Sequence, residues 1–202
     1  MAHGRIRTGF SLPWVALYHN DEGVVTYTKA RRLARGVSVE VDVSASEDNV
    51  FYADNAAAEK APGKFTGGTA TVTVDGLVPD SEALIYGLPE IETVDVDGEQ
   101  IEIRKFGDIM QIPYVGIGYI VRYLEDGKEI YVPTILRKAQ FNASGESAET
   151  QEEDVSWQTQ ELTAALFRDD TAEKNWKWLG VDQTTEAAAE AIIKKVLNYT
   201  AE

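Results

Sequence analysis

Alternation with a period of two residues is the feature that most constrains this chain. Val37, Val39, Val41 and Val43 are separated by Ser38, Glu40 and Asp42. In an extended strand successive side chains point to opposite faces, so the valines share one face and the polar residues the other. Thr69 to Val74 repeats the pattern, with Ala70, Val72 and Val74 on one face and Thr69, Thr71 and Thr73 on the other. Two Asp-Gly pairs mark hairpins. At Asp126-Gly127 a two-residue turn pairs Glu125 with Lys128, and the same register sets Tyr123 opposite Ile130 and Val121 opposite Val132. At Asp97-Gly98 a four-residue loop is expected, because it pairs Val96 with Ile101 and Val94 with Ile103. Pro13 to Tyr18 and Val24 to Thr28 read as strands around the turn cluster Asn20 to Gly23. Leu136 to Phe141 and Val155 to Leu162 read as two more. The expected class is mainly β (α+β), in one domain.

Helix signals are few. Asp80 or Ser81 is placed to cap a short helix through Tyr86, ended by Gly87 and Pro89. Thr184 or Thr185 caps a stronger one over Ala187 to Leu197, with Glu186 in its first turn and Lys194 and Lys195 near its C-terminus. Two stretches read as long irregular segments: Ser44 to Lys64, polar and Ala-rich, and Ser144 to Asp154, which carries Glu146, Glu149, Glu152, Glu153 and Asp154 and no base. Residues 171–202 form a C-terminal extension ending in the helix.

Chemistry is harder to find. The chain has no cysteine, which removes disulfides, thiolate catalysis and Cys-ligated metals. Its two histidines, His3 and His19, sit in a terminal tail and beside a turn, without metal-ligand spacing. Asp95 to Glu99 lacks the spacing of a calcium loop and reads as a hairpin turn. Gly116-Ile117-Gly118-Tyr119 begins a glycine fingerprint that never completes, and these glycines are expected to let a strand bend or approach another backbone closely. No catalytic, cofactor-binding or metal-ligating residue is therefore assigned. With 34 acidic against 19 basic residues the net charge is −15. Such a body repels phosphate and does not wrap nucleic acid. The one basic cluster, Lys29, Arg31, Arg32 and Arg35, reads as a solvated face or as the counterpart of an acidic patch on a neighbour. No apolar run has the length of a membrane span, so no membrane partner and a cytosolic origin are expected.

The order of features resembles the major tail tube proteins of long-tailed (siphovirus-type) bacteriophages. The N-terminal half reads TYTKARRLARGVSVEVDVS, then FYADNAAAEKA in a long loop, then FTGGTATVTVDGLVPDSEALIYGL. The second half reads GIGYIVRYLEDGKEIYVPTILRKAQFNASGESAETQEEDVSWQTQELTAALFRD. It is similar to that family in the succession of a G-Y strand, a hairpin, a K-x-x-F strand, an acidic loop and a W-x-T strand. The resemblance covers about Gly9 to Asp170; Trp176-Lys177-Trp178 and the C-terminal helix match no part of it.

The resemblance implies a β-sandwich or half-barrel subunit with a flanking helix. It implies hexameric rings whose sheets join edge to edge, stacked into a hollow tube for DNA passage. It implies partners: further copies of the chain, the tape measure, the tail terminator and a baseplate or distal tail protein, with DNA passing transiently and non-specifically. It also implies location in the virion tail after synthesis in the bacterial cytoplasm. It places Ser44 to Lys64 between rings, so that this loop is mobile in the free subunit and ordered by stacking. That makes Phe51, Tyr52, Asp54 and Phe65 candidates for inter-ring contact, and the alternation of Val37 to Val43 makes Glu40 and Asp42 candidates for the lumen face. The alternatives are a ring protein of a secretion tube, a monomeric β-sandwich binding module, and a carboxylate hydrolase, for which only the acid content speaks.

Overall fold

The computed structural model of the protein describes residues 4–53, 55–89, 91–105, 107, 111–143 and 157–200. Its elements, in chain order, are β1 (Ile6–Asp21), β2 (Val24–Arg32), β3 (Gly36–Ala45), β4 (Asn49–Ala53), β5 (Ala56–Ala61), β6 (Phe65–Val74), α1 (Pro79–Tyr86), β7 (Glu92–Val96), β8 (Glu99–Ile103), β9 (Val115–Glu125), β10 (Lys128–Phe141), β11 (Gln160–Phe167), β12 (Lys177–Leu179) and α2 (Glu186–Val196). The chain is mainly β. The main sheet is antiparallel, in the order β2-β1-β9-β10-β11-β6-β3, with β12 added alongside β10.

β2 and β3 lie at opposite ends of this sheet, yet only Leu33 to Arg35 join them. The sheet must therefore curl. Leu33 donates its N–H to the Pro13 carbonyl at 2.8 Å, and the Phe10 ring of β1 lies where a Cβ on Gly36 of β3 would sit. The result is a sandwich-like layer with a core on each face. Val15 of β1, Ala70, Val72 and Val74 of β6, Ile117 and Tyr119 of β9, Leu136 of β10, and Leu162 and Leu166 of β11 fill the inner face. α1 closes that core with Leu84, Ile85 and Tyr86. Trp14, Ala16 and Tyr18 point the other way and join Tyr27, Ile120 and Ile135 beneath Ala189, Ile193 and Leu197 of the α2 segment. The glycines of β9 serve this second core. A Cβ on Gly118 would stand 2.5 Å from Ile193 Cγ2, and one on Gly116 would enter the Tyr27 ring. They admit side chains, where the sequence suggested strand bending or close backbone approach.

Local signals hold where turn and pairing agree. Glu125 pairs with Lys128, Tyr123 with Ile130 and Val121 with Val132, as expected. Thr185 caps α2, its hydroxyl accepting the Ala188 N–H at 3.2 Å. Four expectations are corrected. The turn at Asp97-Gly98 has two residues, pairing Val96 with Glu99 and Val94 with Ile101, because Asp97 (φ 53°) and Gly98 (φ 89°) take the left-handed conformations of a tight hairpin turn. Ser44 to Lys64 is not irregular: β3 runs on to Ala45, and β4 and β5 form a hairpin within the stretch. α1 starts at Pro79, whose fixed φ and missing N–H suit a first turn. No side chain caps it; the Ser81 hydroxyl donates instead to the Arg32 carbonyl at 2.9 Å. β11 begins at Gln160 and continues to Phe167, later than expected. The acidic stretch Ser144 to Asp154 lies outside the described residues, as does Asp54. No helix among the described residues is long and apolar enough to cross a membrane.

Candidate functional site

The two ends of the main sheet are built differently. β2 is interrupted where Lys29 adopts φ 52°, and its register to β1 slips between Val15 and Leu17. A bulge with a lysine is a common device for blunting a free edge. β3 has no such guard from Ser38 to Ser44. It pairs residue for residue with Thr73 to Gly67 of β6 on one side and, among the described residues, with no strand on the other. It carries no lysine, arginine or proline. Because only one neighbour covers it, Val39 and Val41 are half-buried, while Val37 and Val43 are exposed. The face expected to be buried is thus only partly covered within one chain.

Comparison with protein-family models and with curated proteins finds no match. What can be said of the site therefore rests on its geometry.

The polar side of β3 continues across its neighbours. Glu40 lies opposite Thr71 and Asp42 opposite Thr69. Thr71 in turn lies opposite Thr163, and Thr73 opposite Glu161, on β11. Directly paired residues of antiparallel strands share a face. Ser38, Glu40, Asp42, Thr69, Thr71, Thr73, Glu161 and Thr163, none of them a base, therefore make one hydroxyl and carboxylate surface, and the same face runs on through Ala165 and Phe167 to Gln140 and Lys138 of β10, where Lys138 is paired with Asp170. The α2 segment packs on β1, β9 and β10 and, among the described residues, no helix covers this surface. Glu40 and Asp42 are both exposed. Sequence periodicity found the β3 and β6 members; Glu161 and Thr163 could not be added from sequence because nothing local places β11 beside β6.

An arm projects from the same pair of strands. The β3–β6 ladder ends at Ala45 opposite Phe65. The Ser46 N–H then donates to the Lys64 carbonyl at 2.8 Å, and the Gly63 N–H donates to Asp48 Oδ1 at 2.8 Å. The Lys60 ammonium and this Gly63 N–H hold the Asp48 carboxyl below the usual carboxylate range. Beyond the pinch, β4 pairs with β5 from Asn49–Ala61 to Ala53–Ala56, with Asn55 (φ 62°) in the turn. Phe51 is 64% exposed on this arm. Tyr52 pairs through its backbone with Ala57. Phe65 is placed elsewhere: at the base of the arm its ring stacks on Trp176, with centroids 5.1 Å apart and planes 4° from parallel.

That stack explains one of the unmatched tryptophans, and a buried ion pair explains the other. Arg137 Nε donates to Asp169 Oδ2 at 3.0 Å, with side-chain exposures of 4% and 0%. Thr171 Oγ1 donates to the second carboxylate oxygen at 2.7 Å. The guanidinium lies 3.6 Å from the centre of the Trp178 ring, and the Arg137 N–H donates to the Trp176 carbonyl. Next to it, Asp170 receives Lys138 Nζ at 2.7 Å and the Tyr18 hydroxyl at 2.9 Å. The Lys138 ammonium keeps Asp170 below the usual carboxylate range, and burial pushes Tyr18 up to about 12.

Proposed function

We propose that this chain is a structural subunit of a phage-type tail tube, assembling into stacked hexameric rings that conduct DNA into a host. The observation that carries the reading is the unguarded β3 edge beside a carboxylate and hydroxyl surface. A long uncovered strand offers its unpaired N–H and C=O groups to another chain, and a closed ring of sheets removes such edges. In the assembled ring Glu40 and Asp42 line the lumen. A negative, hydroxyl-rich wall gives a passing duplex no unpaired cation against which to release counterions, so DNA slides without binding. The arm with Phe51 and Tyr52 reaches the adjacent ring. The tape measure, the terminator and a baseplate or distal tail protein close the tube at its core and ends, and the product resides in the virion tail.

Negative-stain microscopy of concentrated protein tests the reading. Hollow rings or tubes are expected, and a chain that stays monomeric at every concentration refutes it. With tubes in hand, replacing Glu40 and Asp42 by lysine is expected to leave their form intact while DNA binds them in a salt-sensitive manner. Equal DNA retention by both forms removes these residues from the lumen.

A further inference from the structure

The β7–β8 hairpin stands outside the main sheet, and its two strands pair only with each other. A two-stranded hairpin by itself is marginal in water, and its apolar face needs a further layer to cover it. Here that face is open. Val94 lies opposite Ile101, with Val96 and Ile103 on the same side and Glu92 and Glu99 at its ends. Val94, Val96 and Ile101 are between 41% and 47% exposed. The other side and the turn add Asp95, Glu102 and Asp97, and neither strand carries a base. Charge decides what can cover such a face. Two copies of the hairpin laid face to face would set five acids against five. One corner of the chain has the opposite character. Lys29 and Arg32 are exposed and, among the described residues, meet no carboxylate. Arg35 projects beside Asp75, whose N–H donates to the Arg35 carbonyl at 3.1 Å. Val37 follows Arg35 by two residues and Val78 follows Asp75 by three, and both valines are more than half exposed. The Ser81 hydroxyl, donating to the Arg32 carbonyl, ties the start of α1 to the same corner.

We infer that the apolar face of the β7–β8 hairpin docks on this corner of a second copy of the chain, over Val37 and Val78, with its acids against Lys29, Arg32 and Arg35. The apolar side chains of both partners leave water there, and the opposite charges fix where the hairpin lands. The hairpin is not spent on its own corner. Arg104 at its root donates to Asp80 of α1 at 2.6 Å, which holds it nearby, yet its apolar face stays open to solvent. The corner is also continuous with the interface already proposed, because Val37 stands at the start of the unguarded β3 edge. The inference rests on the self-assembly reading and gives the joint at β3 a second contact, of named chemistry.

Charge reversal on each side tests the contact, read by analytical ultracentrifugation of the full chain. Glu99→Lys with Glu102→Lys changes the hairpin, and Lys29→Glu with Arg32→Glu changes the corner. Each pair is expected to weaken association by about 10-fold or more. The hairpin pair also brings the net charge of −15 closer to zero, which on its own favours association, so weakening there isolates the specific contact. Mixing the two variants is expected to restore association between them, because the reversed hairpin meets the reversed corner. A misfolded chain is not rescued in this way. Val94→Thr with Ile101→Thr, which keeps two good strand formers, is expected to weaken association as well. If wild-type protein associates while both reversed variants associate equally well, or if their mixture is as weak as its components, this contact is wrong and self-assembly stands. Wild-type protein that stays monomeric at every concentration refutes the assembly reading itself, and this contact with it.

Discussion

Asp169→Asn tests what holds the segment after β11 in place. Asp169 and Arg137 are both buried, 3.0 Å apart, so bulk solvent does little to screen either charge. The substitution keeps the size of the side chain and an oxygen for the Thr171 hydroxyl. It removes the carboxylate that, among the described residues, neutralises Arg137. Leaving a buried guanidinium uncompensated costs about 3–5 kcal/mol. For a chain of this length each kcal/mol lowers Tm by about 2–4 °C, so the midpoint should fall by about 6–20 °C. Adding Arg137→Met removes the stranded charge and should recover most of the loss. A residue of about 0.5–2 kcal/mol is expected to persist, because the guanidinium also rests on the Trp178 ring at 3.6 Å. Thermal unfolding of unassembled subunit, followed by tryptophan fluorescence, gives all three values. The reasoning is refuted if Asp169→Asn costs under about 1 kcal/mol, or if the double variant is less stable than Asp169→Asn alone.

Two further outcomes follow from the cores. Gly118→Ala puts a methyl 2.5 Å from Ile193 Cγ2 and should cost about 1–3 kcal/mol by overpacking; Ile193→Ala should cost about 2–5 kcal/mol. Because the new methyl occupies space the isoleucine vacates, urea unfolding of the double variant should show a loss clearly smaller than the sum. At high pH, burial holds Tyr18 and Tyr119 at about 12, above the ordinary value near 10 for a free tyrosine. The unfolded chain releases these protons first, so the contribution is complete below about pH 10 and is lost as pH rises towards 12. Tyrosinate absorbance should accordingly rise together with the loss of β-sheet circular dichroism, and ionisation at ordinary pH values in folded protein would contradict the burial.

The turn at Asp126-Gly127 was legible because everything that sets it is local: two residues able to take positive φ, and apolar partners counted outward from them. The same holds for Thr185 at the start of α2. At Asp97-Gly98 both loop lengths pair apolar residues, and the tight-turn preference of Asp-Gly decided between them. Ser44 to Lys64 looked like a loop because composition reports which side chains can be buried. A hairpin extending an existing ladder is held first by backbone pairing, to which composition is nearly blind. The unmatched Trp176 and Trp178 had no readable role, since Phe65 and Arg137, which hold them, lie far away along the chain. Alternation in β3 and β6 was enough to expect two unlike faces on each strand. Which face a helix covers was decided only in three dimensions, where Gly116 and Gly118 leave room for Tyr27 and Ile193. α2 thereby settles over β1, β9 and β10, and the acids and threonines of β3, β6 and β11 stay in water. That choice depends on contacts between residues distant in sequence, and no local pattern encodes which distant side chain will fill the space above a glycine.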